Sequence, residues 1–252
     1  MVGLVLMWPL AGRLVAQLER RFGAGEADEG QPRHLDRHVV GTPRLAIDAM
    51  DMELRRIAGM AHRMARHALS SEVQDQRLQR ERGTLDQLSE AVIGYAGNVP
   101  GAGDAVVDAA LPAVVRVAQY YRGMAERAEE LGRAPLPPQI DDRHQALLGA
   151  LHQAGHRVLL ASEPLAGEPI DLEALAANAE AFETLYQQTK GDLLRAGGRG
   201  EIGPAALVRV LDRASFLRRI LDQAVKAARH LETLEVGGGA SPLAGAIEPA
   251  PE

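Results

Sequence analysis

Cysteine is absent from this 252-residue chain, which excludes disulfides, thiol catalysis and zinc sites built on cysteine. Lysine is nearly missing too: Lys190 and Lys226 are the only two among 28 basic residues, and the formal charge of −6 is spread along the chain. No basic nucleic-acid surface follows from such a balance. Long apolar runs are also lacking. The longest candidate, Met1 to Gly12, falls short of the roughly 20 apolar residues of a complete transmembrane helix, and no basic n-region precedes it as a secretory signal requires. No window alternates with period two for long enough to make a strand, so the sequence predicts an all-α fold. The glycine-rich Gly101-Ala102-Gly103-Asp104 and Gly197-Gly198-Arg199-Gly200 follow no strand and lack a Lys-Ser/Thr ending, so they read as helix-ending turns rather than phosphate loops. With no nucleophile elbow and no evident carboxylate pair, no catalytic residue is assigned and the chain does not read as an enzyme.

What is present is helical periodicity. A hydrophobic share of 46%, mainly Ala, Leu and Val, is enough to bury one large or two small cores. Thr42 and Pro43 have the form of an N-cap and first helical residue. The stripe Ile47, Met50, Leu54, Ile57, Ala61, Met64, Ala68 then predicts a helix from about 43 to 70. A second run uses Leu78, Leu85, Leu88, Val92 and Tyr95. A third uses Val107, Ala110, Val114, Val117, Tyr121, Met124, Ala128 and Leu131, with Pro112 either kinking its first turns or marking its start. After the proline-rich break from Gly132 to Pro138, three more runs follow: Leu147 to Val158, then Leu172 to Leu193 with Asp171 as cap, then Leu207 to Leu231 opened by Pro204.

Six main helices emerge, and the halves resemble each other: Tyr120-Tyr121-Arg122 lies over Phe216-Leu217-Arg218. The predicted layout is an apolar N-terminal helix at 1–22, a linker at 23–41, antiparallel three-helix bundles at 42–132 and 139–235, and a disordered tail at 236–252. Two readings of the first segment stay open. It is the end of a membrane-spanning helix, with Leu4, Leu6, Trp8, Leu10 and Arg13 as membrane-contacting residues, or an amphipathic helix packed on its own bundle.

Two histidine groupings draw attention. His152 and His156 at i and i+4, with His144 two turns earlier, have transition-metal spacing, but a third ligand would have to come from another helix and no Glu follows the first His, so a solvated helix face is the preferred reading. His62 and His67 are flanked by Arg63 and Arg66, which disfavours a metal and suits an anion such as phosphate or a lipid headgroup; a basic solvated face is the alternative.

Leu10-Ala11-Gly12-Arg13-Leu14, Arg33-His34-Leu35-Asp36 and Gly41-Thr42-Pro43-Arg44-Leu45-Ala46, followed by paired helical triplets, resemble the junction and cytoplasmic PhoU-like region of bacterial sodium/phosphate cotransporters. The resemblance implies a regulatory or accessory module acting through protein contacts at the cytoplasmic face of the inner membrane. Its implied partners are a transporter membrane domain or other membrane protein, and the membrane surface itself. A freestanding cytoplasmic regulator of phosphate uptake or signalling is the alternative. PhoU proteins carry a Glu-x-x-x-Asp motif on each third helix that collects divalent cations. At the matching places this chain has Arg122 with Glu126 and Arg218 with Asp222. A fixed positive charge in place of the first carboxylate predicts intrahelical ion pairs rather than a metal site, and no cofactor.

Overall fold

A computed structural model of the chain describes residues 30–70, 75–100, 104–134, 140–165 and 168–238. Among the described residues there are six α-helices and no strand: α1 (Pro43–Leu69), α2 (Asp75–Ala96), α3 (Ala105–Arg133), α4 (Asp142–Ser162), α5 (Leu172–Gly198) and α6 (Pro204–Gly238). The all-α expectation holds. The apolar start with Leu4, Leu6, Trp8, Leu10 and Arg13 lies outside the described residues, as do residues 239–252 of the tail.

Local chemistry fixes where the helices begin. Asp104, Asp141 and Asp171 cap α3, α4 and α5, each accepting a hydrogen bond from a first-turn backbone N–H; such caps satisfy donors that have no partner inside the helix. Thr42 occupies the N-cap of α1, but its side chain makes no capping bond, so Pro43 with its preset φ sets that start. Pro112 does not mark the start of α3. It lies inside the helix on the exposed side, where its missing N–H is cheapest. Gly200, at φ 76°, ends α5 by a left-handed turn in which the Glu201 N–H reaches back to the Ala196 carbonyl.

One main apolar core runs through all six helices. α1, α2 and α3 contact one another, α4, α5 and α6 contact one another, and the broadest interface joins α3 to α6. That interface is antiparallel. Tyr120 stacks on His230 with ring centroids 5.6 Å apart, and Arg213 donates to the carbonyls of Leu131 and Ala134 at 3.2 and 3.1 Å. A buried guanidinium there neutralises the negative end of α3. A smaller core of Leu193, Ala196, Ile202 and Val210 closes the turn between α5 and α6.

α1 is buried well beyond its predicted stripe. Ala46, Ala49, Ala58, Met60 and Ala65 are covered as well, because α1 touches α2, α3, α4 and α6. Alanine permits that close approach, and each fully buried Leu or Met adds about 1.5–3 kcal/mol.

Candidate functional site

Position 53 lies on the apolar face of α1, between Met50 and Leu54, yet holds a carboxylate. Glu53 is fully buried. Its Oε2 accepts the backbone N–H groups of Arg33 and His34 at 2.9 and 3.0 Å, and its Oε1 accepts Arg56 at 2.8 Å. A buried charge survives only when paired and hydrogen-bonded, and here the partners belong to the segment that leads into α1. Tyr95 fixes the same segment by donating from its hydroxyl to the Asp36 carbonyl at 2.7 Å. Sequence reasoning missed Glu53. The available signal was an acid inside an apolar stripe.

The four residues considered as an anion site do not share a face. His62 is fully buried. Its Nδ1–H donates to the Ala58 carbonyl at 2.8 Å, and its Nε2 lies 3.1 Å from the Ser162 hydroxyl, whose single proton is shared between that nitrogen and the Leu159 carbonyl at 3.2 Å. Its ring meets Tyr121 edge-on at 6.2 Å. Burial lowers the His62 pKa, outweighing the Ala58 hydrogen bond and the nearby Glu163 charge, so a neutral imidazole inside the protein does not hold an anion. Arg66 is engaged by both Glu163 oxygens at 2.6 and 3.1 Å. Desolvation works against ionisation of Glu163, but the Arg66 hydrogen bond and surrounding positive charges prevail and lower its pKa. His67 lies 3.6 Å from Glu81 on α2. Only Arg63 points outward. The grouping is thus an interhelical seam tying α1 to the end of α4, with Arg63 separate.

The intrahelical pairs expected at the two matched positions are not formed. Arg122 reaches across to Asp86 of α2 at 3.1 Å, and Arg218 reaches across to Glu183 of α5 at 2.7 Å while lying over the Tyr186 ring. Glu126 is 3.9 Å from Arg127, and Asp222 pairs with Lys226 at 2.8 Å. The reason is partly directional: an acid four residues after a base is the weaker helical order, and Asp222 with Lys226 has the stronger one. Each arginine therefore joins the third helix of its half to the second. In the second half this happens at the rim of a cleft of about 290 Å³ between α4, α5 and α6. Val158, Phe182 and Leu221 supply its apolar lining, and Glu183, Arg218 and Asp222 its charges. Such a cleft suits an apolar group with one polar end better than a bare cation.

His152 and His156 lie on the exposed side of α4, whereas His144 is buried and bonded to Asp141. The three do not converge. Partial desolvation and the Arg213 charge lower the His152 pKa, and a positive neighbour also opposes a metal. Among the described residues no group of three or more His, Asp or Glu is placed to hold a metal ion. Among those residues, too, no helix is long and apolar enough to cross a membrane.

These features define a helical protein with a buried carboxylate clamp, an interhelical polar seam and a half-apolar cleft. Neither family models, curated proteins nor solved structures give a match to the chain.

Proposed function

We propose that the chain is a PhoU-like regulatory or accessory module of sodium-dependent phosphate transport, built from two three-helix units and acting through protein contacts at the cytoplasmic face of the inner membrane. The observation that carries the reading is the form of the lead-in. Arg33-His34-Leu35-Asp36 and Gly41 to Ala46, which bear the resemblance to the transporter junction, belong to one built unit in which Glu53 fastens the segment before α1. A lead-in fixed to the first helix has a defined place on the bundle from Arg33 onward, as the junction of a module attached to a membrane partner requires. The equivalent reach of Arg122 and Arg218, each from a third helix to a second, supports the duplicated unit.

The test is sodium-dependent uptake of labelled phosphate by cells with and without the gene, together with fractionation of the full chain. Altered uptake with the chain in the membrane pellet supports the membrane-attached module. Altered uptake with the chain in the supernatant favours the freestanding regulator. Unchanged uptake across phosphate-replete and phosphate-starved cells sinks both.

A further inference from the structure

The cleft between α4, α5 and α6 has a firm apolar floor and a charge left over at its rim. Gly155 brings α4 close to α6, since a Cβ there would stand 3.2 Å from the Leu217 methyl groups and 3.4 Å from Leu221. The floor is made of buried Val158, Phe182 and Leu221, with half-buried Ala179 and Val225 beside them. Phe182 stacks on Tyr186 with ring centroids 6.3 Å apart, and Tyr186 in turn lies under the Arg218 guanidinium at 5.3 Å. Four charged residues complete the lining: Glu183, Arg218, Arg219 and Asp222. Both oxygens of Glu183 are engaged, one by Arg218 and the other by Gln187, each at 2.7 Å. Asp222 is answered by Lys226 at 2.8 Å. Arg219 differs from these. It is exposed, and its guanidinium makes no hydrogen bond or ion pair among the described residues. It also borders the groove at the end of α3, but Glu130 there pairs with Arg127, and Asp212 does not pair with it either among those residues. With Lys226 included, Arg218, Arg219 and Lys226 face Glu183 and Asp222, and the unmatched charge is that of Arg219.

We infer that this cleft is a binding site for a small amphiphilic carboxylate, a straight-chain monocarboxylate whose alkyl group lies on Val158, Phe182 and Leu221 and whose head meets Arg219. Its volume of about 290 Å³ stands at the lower end of the range of roughly 300–1,000 Å³ for small-molecule sites, which suits a short or medium alkyl group rather than a whole lipid. Each methylene moved from water onto such a floor strengthens binding about fourfold. The sign of the head follows from the rim. A cationic head would find both acids already paired with cations, whereas a carboxylate matches the planar fork of a guanidinium and leaves every existing pair intact. The site goes beyond the regulatory reading and does not rest on it. Its test reads binding rather than phosphate uptake, so either can fail alone.

The experiment uses the full chain and its Arg219→Gln, Ala179→Leu and Arg209→Gln variants, with octanoate titrated by calorimetry as the probe. Butanoate, octanol and octylamine are the comparison ligands. Octanoate should bind the unaltered chain. Arg219→Gln should weaken it about tenfold, the loss expected for one charged hydrogen-bonding group. Ala179→Leu, whose larger side chain enters the cleft, should weaken it at least as much. Arg209→Gln removes a positive charge from the same helix outside the lining and should bind as the unaltered chain does. Butanoate, with its shorter alkyl group, should bind about tenfold more weakly or worse. Octanol and octylamine, which lack the anionic head, should each bind about tenfold more weakly than octanoate. Arg219 is exposed, so Arg219→Gln should melt with the unaltered protein. If Ala179→Leu does not, Arg219→Lys, which keeps the charge without the fork, takes its place and should bind octanoate with intermediate strength. No binding of octanoate overturns the site. So does binding that is unchanged in Arg219→Gln or in a folded Ala179→Leu, equally weakened in Arg209→Gln, matched by octanol or octylamine, or indifferent to alkyl length.

Discussion

The two halves of the chain use similar helices in different ways, and the contrast is sharpest between α1 and α5. α1 is surrounded by α2, α3, α4 and α6 and buries residues on most of its circumference, including Glu53 and His62. α5 touches α4 and α6 and buries one narrow stripe: Leu175, Phe182, Tyr186, Thr189, Leu193 and Ala196. A helix enclosed by several neighbours turns its polar residues into internal fasteners, whereas a helix at the margin keeps them in solvent. The first half is accordingly held by buried polar contacts, while the second contains the cleft between α4, α5 and α6.

Each half also uses a buried glutamate to hold a segment that leads into a helix, and these two residues give the largest test. Glu53 accepts three hydrogen bonds; Glu232 accepts one, from the Ile170 N–H at 2.9 Å, just before the Asp171 cap of α5. Glu53→Ala leaves two N–H groups and Arg56 without their acceptor and should cost about 3 kcal/mol in urea unfolding. Glu232→Ala should cost about 1–2 kcal/mol. Equal losses would erase the distinction between the halves.

The next effect is pH dependence, and it sets His62 against His152. A histidine whose folded pKa is depressed contributes stability that is fully present above its unfolded value and is lost as pH falls from there toward the folded value. For His62 the window opens at about pH 6.5 and extends downward, with a slope on the order of 1 kcal/mol per pH unit while one proton is taken up on unfolding. Arg66, Glu163, Tyr121 and Ser162 are the groups facing it. Unfolding midpoints measured between about pH 7.5 and 5.5 should fall for the unaltered chain, and His62→Gln should flatten the fall. His152→Gln should flatten it less, because that ring lies on the exposed side of α4 and is only partly desolvated. A dependence that survives His62→Gln would mean that another group carries it.

These contrasts show what periodicity conveys and what it hides. The stripes through Ile47 to Ala68, Leu78 to Tyr95 and Val107 to Leu131 all lie in the core, because a run of Leu, Val and Met at helical spacing has one stable place to go. The second side of α1 was not legible. Its covering residues are largely alanines, which are compatible with either environment, and its polar members Glu53 and His62 are buried by contacts with residues far away in sequence. The same limit applies to Arg122 and Arg218. Sequence spacing offers Glu126 and Asp222 as partners, but tertiary packing presents Asp86 and Glu183.

A smaller effect separates those two arginines. The Arg122 pair is the less exposed of the two, and Asp86 is shared with Arg82. Arg122→Ala should cost about 1 kcal/mol and Arg218→Ala about half that or less, as expected for pairs near solvent. Raising the salt concentration in the unfolding experiment should narrow the difference. If Arg218→Ala proves the costlier, its packing over Tyr186 at the cleft rim outweighs the charge term.

The smallest predicted change is loss of the hydroxyl of Tyr121, which stands where the second half has Leu217, both fully buried. Its hydroxyl is enclosed and has no hydrogen-bond partner among the described residues. Burial raises its pKa, with Arg55 and Asp51 acting in opposite senses nearby. The neighbouring Asp51 accepts Arg55 at 2.8 Å through Oδ2, while its buried Oδ1 also lacks a partner among those residues. A phenol kept from water without a hydrogen bond contributes through its ring and loses through its oxygen. Tyr121→Phe removes only the oxygen, so the urea midpoint should stay within about 0.5 kcal/mol of the unaltered value or rise by up to about 1. Tyr121→Leu, which imitates the second half, removes ring volume and should cost about 1–3 kcal/mol. A loss well above about 1 kcal/mol in Tyr121→Phe would mean that the hydroxyl, Asp51 and Arg55 form a working polar network. In that case the first half would be held by one more internal fastener, and the difference between the halves would be larger than the helix packing alone indicates.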